Sequence, residues 1–180
     1  SAVVTASVGV ATLEPGDTVV VCQNGVFGGR MKENVERCGG TAVMVQDAWG
    51  SPVDPDKVEA ALRATPGAKA VAFVHAETST GAQADAALLG EIAHRPGALV
   101  LADTVTSLGG TPVKVDEWGI DIVSVGSQKV LGAPPGLSAM TVSDDAWELF
   151  RSVQRPNRYS YFSILDWKEI WLEKGAWPYT

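Results

Sequence analysis

With 180 residues, 46% of them hydrophobic and 19% charged, the chain can bury one sizeable core and has the balance of a globular domain. A net charge of −7 disfavours nucleic acid and anionic membrane as partners. No apolar run approaches the ~20 residues that cross a bilayer and no signal-peptide pattern is read, so a reducing, cytoplasmic setting is the expectation. Cys22 and Cys38 lack a CxxC or metal-ligand pattern and are expected as reduced thiols; two histidines, His75 and His94, give a metal centre little to draw on.

Strand-like and helix-like stretches alternate, the mark of an α/β layer fold. After the Pro15-Gly16-Asp17 turn, residues 18–22 read as a short apolar strand. Charges at helical spacing predict a helix over 29–38 that stops at Gly39-Gly40. Residues 41–45 form the next strand. Asp54 as N-cap and Pro55 at the first helical position predict a helix through Ala64. A strand over 70–75, a helix over 84–94 and a strand over 98–102 follow. Strands over 122–125 and 139–142 bring the number to six, before Asp144 caps a helix through Val153. Near-continuous apolar strands separated by helices imply a mostly parallel sheet buried on both faces. Residues 155–162 then read as a loop and 164–174 as a Trp-bearing helix, with Trp118, Trp147, Trp167 and Trp171 expected as packing anchors.

Chemistry concentrates at two strand ends. Asp121-Ile122-Val123-Ser124-Val125-Gly126-Ser127-Gln128-Lys129 delivers a lysine just past an apolar strand, ahead of the rigid Gly132-Ala133-Pro134-Pro135-Gly136. An amine held there and partly desolvated can act as nucleophile and base near neutrality. Asp103 closes the strand over 98–102. A lysine and an aspartate at adjacent strand ends suit a carbonyl cofactor with a ring nitrogen, which points to pyridoxal phosphate.

The wider text resembles a known family, the class V (fold type I) aminotransferases, and within it the alanine–glyoxylate and serine–glyoxylate group. Five segments carry the resemblance: Leu13-Glu14-Pro15-Gly16-Asp17, Asn24-Gly25-Val26-Phe27-Gly28, Glu77-Thr78-Ser79-Thr80-Gly81, Ala102-Asp103-Thr104-Val105-Thr106-Ser107-Leu108-Gly109-Gly110, and Gly126-Ser127-Gln128-Lys129 with its Ala133-Pro134-Pro135-Gly136 tail. They stand in family order with family-like spacing across nearly the whole chain. The fold this implies is an α/β large domain, a mostly parallel sheet of the seven-stranded type flanked by helices, incomplete at both ends. Residues 1–153 would form the cofactor-binding large domain, short of its N-terminal part. Residues 154–180 would close that domain and lead toward a small domain, which in the family holds the arginine that grips the substrate carboxylate.

The resemblance also distributes roles. Lys129 would hold the cofactor as a Schiff base and then move a proton as general base and acid. Asp103 would keep the ring nitrogen protonated. Phe27, where many members carry tryptophan, would stack on one ring face. Val105, two residues beyond Asp103 and pointed the same way by strand alternation, would floor the other. Thr78 would donate to the phenolic oxygen. Gln128 would bind the phosphate through amide N–H groups, and Thr180 would reach the phosphate of a neighbouring subunit, implying a homodimer with shared sites. Ser1 and Ala2 fall by spacing at the phosphate loop. His75 is expected as a structural hydrogen-bonder and Arg30 as a surface or interfacial residue.

The activity implied is transfer of an amino group from a small amino acid, alanine or serine, to glyoxylate or pyruvate. Another class V chemistry, a phosphonate transaminase or a cysteine desulfurase, is the alternative enzyme reading. A desulfurase would be expected to carry one histidine immediately before the lysine and another on the ring, where Gln128 and Phe27 stand. A non-catalytic piece of the large domain is the alternative outside enzymes. A nucleotide-binding α/β domain is weaker, because no GxGxxG follows a strand.

Overall fold

The structure, a computed structural model, describes residues 13–153 and 163–178. Thr180, Ser1, Ala2 and the loop expected over 155–162 lie outside the described residues.

Six strands make the main sheet: β1 (Thr18–Gln23), β2 (Thr41–Gln46), β3 (Ala70–Val74), β6 (Leu99–Asp103), β7 (Ile122–Gly126) and β8 (Ser138–Val142), in the order β2-β1-β3-β6-β7-β8. All neighbours run parallel except β8, which runs antiparallel to β7. A small hairpin the pattern did not announce, β4 (Ala76–Glu77) with β5 (Ala82–Gln83), follows β3. The helices are α1 (Val26–Arg37), α2 (Pro55–Ala64), α3 (Ala86–His94), α4 (Asp144–Ser152) and α5 (Ile164–Asp166), the last continuing as a π-helical turn over Trp167–Leu172.

Alternation along each strand divides the core between the two faces. Val20, Cys22, Val71, Phe73, Val100, Ala102, Val123 and Val125 pack on one side against Val58 and Leu62 of α2 and Leu89 and Ile92 of α3. Val19, Val21, Ala72 and Val74 turn the other way, onto Met31 and Val35 of α1. Beyond them on that face, Ile122 packs with Ala146 and Phe150 of α4 and with Ile164 and Leu165. Burial pushes the Cys22 thiol up to about 12, with Asp47 acting in the same direction, so this sulfur is a packing group.

Capping explains where the helices begin. The Asp54 carboxylate accepts from Asp56 N at 3.0 Å, as its place before Pro55 suggests. Before α4 the cap is Ser143 and not Asp144: Ser143 Oγ accepts from Ala146 N at 3.1 Å, and Asp144 and Asp145 stand in the first turn where they favour the dipole. The stretch over 164–174 is not one regular α-helix, because it passes into the π-turn. There Trp167, Trp171 and Trp177 meet edge to face, and Trp171 stays 50% exposed, so it anchors no core.

Candidate active site

The chain leaves β1 for a helix that returns to β2 on one side, and after β2 it crosses to β3 on the other. The β1 and β3 tips are therefore a switch point, the place where open α/β sheets form a crevice beyond their carboxyl ends. Residues following β1, β3, β6 and β7 all emerge on this edge.

Asp103 is the last residue of β6, in register with Val74 of β3 and Ser124 of β7. His75 N donates to the Asp103 carbonyl at 2.9 Å, which fixes the backbone there. Asp103 Oδ1 accepts from Val105 N at 2.9 Å, an aspartate turn that ends the strand. Val105 thus sits in that turn and owes its direction to the carboxylate of Asp103, not to strand alternation. It is buried, beside Gly126: a Cβ on that glycine would stand 3.4 Å from Val105 Cγ1 and 2.8 Å from Gln128 Oε1. Gln128 itself is exposed and folds back over the glycine.

Burial pushes the Asp103 carboxyl above the usual carboxylate range. The Val105 N–H opposes that shift and the charge of Glu77 adds to it. Among the described residues no cation pairs with this carboxylate.

Lys129 follows β7 through a turn whose shape is set by its neighbours. Buried Ser127 donates its hydroxyl to Pro134 O at 2.6 Å, Ala133 N donates to Ser127 O, and Gly132, at φ +64°, donates to Lys129 O. The lysine is exposed, so these residues do not supply the partial desolvation that its strand-end position suggested.

Thr78 is exposed on the β4–β5 loop, and its hydroxyl hydrogen-bonds that of Thr106 from the turn after β6. Phe27, half-buried, is the second residue of α1 and packs against the cluster under that helix. The exposed Arg30 lays its guanidinium over the Phe27 ring, 5.0 Å from the centroid. His75 is 1% exposed, with Nδ1 2.9 Å from Ser107 Oγ and its ring edge-on to Trp118; burial holds its imidazole below the ordinary value, as suits a structural hydrogen-bonder.

One member of the site had no role on sequence grounds. Glu77, 1% exposed, accepts from Phe27 N at 3.0 Å through Oε2, and from Ser79 N at 3.1 Å and Ser79 Oγ at 2.7 Å through Oε1. The sequence carried no local signal for it: Gly25, the N-cap of α1, has no side chain to cap the helix, and the acceptors lie more than fifty positions on.

The family model described as Aminotransferase class-V matches residues 1–160. An uncharacterised aminotransferase of Methanocaldococcus jannaschii is 40% identical over 168 residues, covering 93% of this chain and 43% of that protein. Alanine–glyoxylate aminotransferase of Rattus norvegicus is 41% identical over 163 residues, covering 91% and 39%. The crystal structure of ureidoglycine–glyoxylate aminotransferase from Bacillus subtilis superposes with a TM-score of 0.93 at 32% identity, over 99% of this chain and 46% of that one. The chain spans less than half the length of each protein it matches here.

Proposed function

The chain belongs to the class V aminotransferase family, and from that premise we propose that it forms the pyridoxal phosphate site of a transaminase. In this reading residues 1–153 are the cofactor-binding large domain, and residues 154–180 lead out of it. The amino group passes from a small amino acid, alanine or serine, to glyoxylate or pyruvate. Glyoxylate appears in the names of both the rat and the Bacillus relatives while their donors differ, so the acceptor has more support than the donor.

The observation that carries the reading is the half-buried Asp103 carboxylate, unpaired with any cation among the described residues, one strand away from Lys129 on the same sheet edge. A buried carboxylate is costly without a positive partner, and a protonated ring nitrogen is such a partner. The donor set therefore fits the group. When bound, pyridoxal phosphate supplies a carbonyl carbon for an amine and a ring that withdraws electrons. Lys129 Nζ is the amine that would hold it, and would later move a proton between the substrate's α-carbon and the cofactor. Asp103 keeps the far nitrogen protonated. Phe27 and Val105 close the two ring faces, while the Thr78 hydroxyl, already paired with Thr106, donates to the phenolic oxygen. Gln128 binds the phosphate through its amide N–H groups, and Thr180 serves the site of a second copy, which makes the enzyme a homodimer.

Absorbance tests this directly. Protein mixed with pyridoxal phosphate should turn yellow, borohydride should bleach it, and peptide mass mapping should put the added mass on Lys129. A folded protein that stays colourless ends the cofactor reading. One that colours yet fails to transfer nitrogen from alanine or serine to glyoxylate or pyruvate binds the cofactor without this activity.

A further inference from the structure

We propose that Glu77 is a positioning residue for the cofactor site, locking the start of α1, which carries Phe27, to the loop that carries Thr78. This rests on the function proposed above. The two elements belong to different strands, since α1 follows β1 and the loop follows β3, and the switch-point crevice lies between them. Left to themselves, the tips on either side of such a crevice share no backbone ladder. Here the Glu77 carboxylate joins them, together with the hydroxyls of Ser79 and Thr80.

Both oxygens are used, and by different sides. Oε2 takes the Phe27 amide from α1; Oε1 takes the amide and the hydroxyl of Ser79 from its own loop. Ser79 closes the circuit, because its oxygen accepts from Val26 N at 3.0 Å while its proton goes to Glu77. The first two amides of α1 are thereby capped from across the crevice, and the negative charge lies at the positive end of the helix dipole. That placement explains how a carboxylate can be buried with no cation paired to it among the described residues. Thr80 Oγ1 adds a bond to Asn24 O at 3.3 Å. The backbone is pressed onto the clamp: a Cβ on Gly25 would stand 2.4 Å from Glu77 Cγ and 2.6 Å from Ser79 Oγ. Thr78 sits between the two clamp residues, so its hydroxyl height is fixed from both sides.

Glutamine is the informative replacement. It keeps the shape but offers one acceptor oxygen, so its NH2 must oppose either the Phe27 or the Ser79 amide. Three proteins are compared: the unaltered one, Glu77→Gln, and Ser79→Ala, which removes just the Val26 cap and one donor to Glu77. Two measurements are made on each, amide exchange at Val26 and Phe27 without cofactor, and pyridoxal phosphate affinity together with visible circular dichroism per bound cofactor.

The expected result is faster exchange at both amides in Glu77→Gln, with affinity weakened about tenfold or more. The visible dichroism should fall at least about twofold while the imine absorbance per bound cofactor persists, a change in ring placement that mere loss of stability does not produce. Ser79→Ala should move the same way by a smaller factor, and it decides the matter if Glu77→Gln does not fold. Unchanged affinity and dichroism in a folded variant overturn the positioning role even where exchange quickens. If the unaltered protein binds no cofactor, the function reading falls and this role with it; if it binds normally and the variants match it, the role alone falls.

Discussion

Asp103 stands opposite Ser124 in the parallel β6–β7 ladder, and the Ser124 hydroxyl is buried with no hydrogen-bond partner among the described residues. The carboxylate and the lysine just beyond β7 therefore rise from neighbouring strands on one edge, with the unpaired Ser124 hydroxyl in register with the carboxylate. An unpaired buried hydroxyl of this kind costs stability.

Lys129→Ala should abolish the yellow colour and lower amino transfer by about 10³-fold or more, since one group supplies both attachment and proton movement. The side chain is exposed, so stability should stay within about 0.5 kcal/mol. Spectra and thermal unfolding of the same sample check both halves.

Asp103→Asn should separate function from stability. The amide oxygen still accepts from Val105 N, so the turn survives. Burial raises the carboxyl of the folded state above its ordinary 3.8, so the favourable contribution of Asp103 is full below that value and is lost as pH climbs through the raised one. Without cofactor, the variant should melt above the parent protein at neutral pH, and the gap should close toward pH 4. Its turnover should fall by about 10²-fold, as when one preorganised charge partner is removed. A variant that melts lower at pH 7 would contradict the sign.

His75 works in the opposite direction. Burial lowers its folded pKa below the ordinary 6.5, against a smaller raising effect of Asp85. The stability it contributes is full above 6.5 and drains away as pH falls through the depressed value. Melting temperatures between pH 7 and pH 5 should decline more steeply in the parent than in His75→Gln.

Two helix glycines should respond with opposite signs. At Gly90 in α3 a Cβ would lie 2.0 Å from the carbonyl oxygen of Trp118, a backbone atom that cannot step aside. Gly90→Ala should therefore destabilise by about 1–3 kcal/mol despite alanine's helix preference. At Gly29 in α1 the nearest atom is the mobile end of Gln23, 3.0 Å away, so Gly29→Ala should gain about 0.5–1 kcal/mol. Chemical denaturation of the pair reads both.

Much of the sheet was legible because a parallel sheet covered on both faces writes itself as apolar runs, and the strands over 18–22, 41–45 and 122–125 need few residues added to match. The start at Asp54 was legible because its cap is local, the start at Ser143 was placed one residue late among adjacent capping residues, and the start of α1, with no local side-chain cap, was missed. Residues 26–28 were missed as helix because Gly25 borrows its acceptors from Glu77 and Ser79, more than fifty positions on. The hairpin β4–β5 is too short to show any period. Asp103 and Lys129 could be placed on one edge from strand ends alone. Strand alternation was not the ground on which to place Val105, because it lies past the end of β6 in a turn held by the Asp103 carboxylate.

The reversed direction of β8 bears on the lysine. A parallel successor would oblige the chain to leave the reactive edge, descend through a helix and start again from the far side. Here Gly126 and Ser138 face each other across the ladder, so the segment between them has both feet planted on the same rim. The amine thus rides on a short arch whose span is set by one strand spacing, and lengthening that arch should shift the nitrogen without disturbing a single helix.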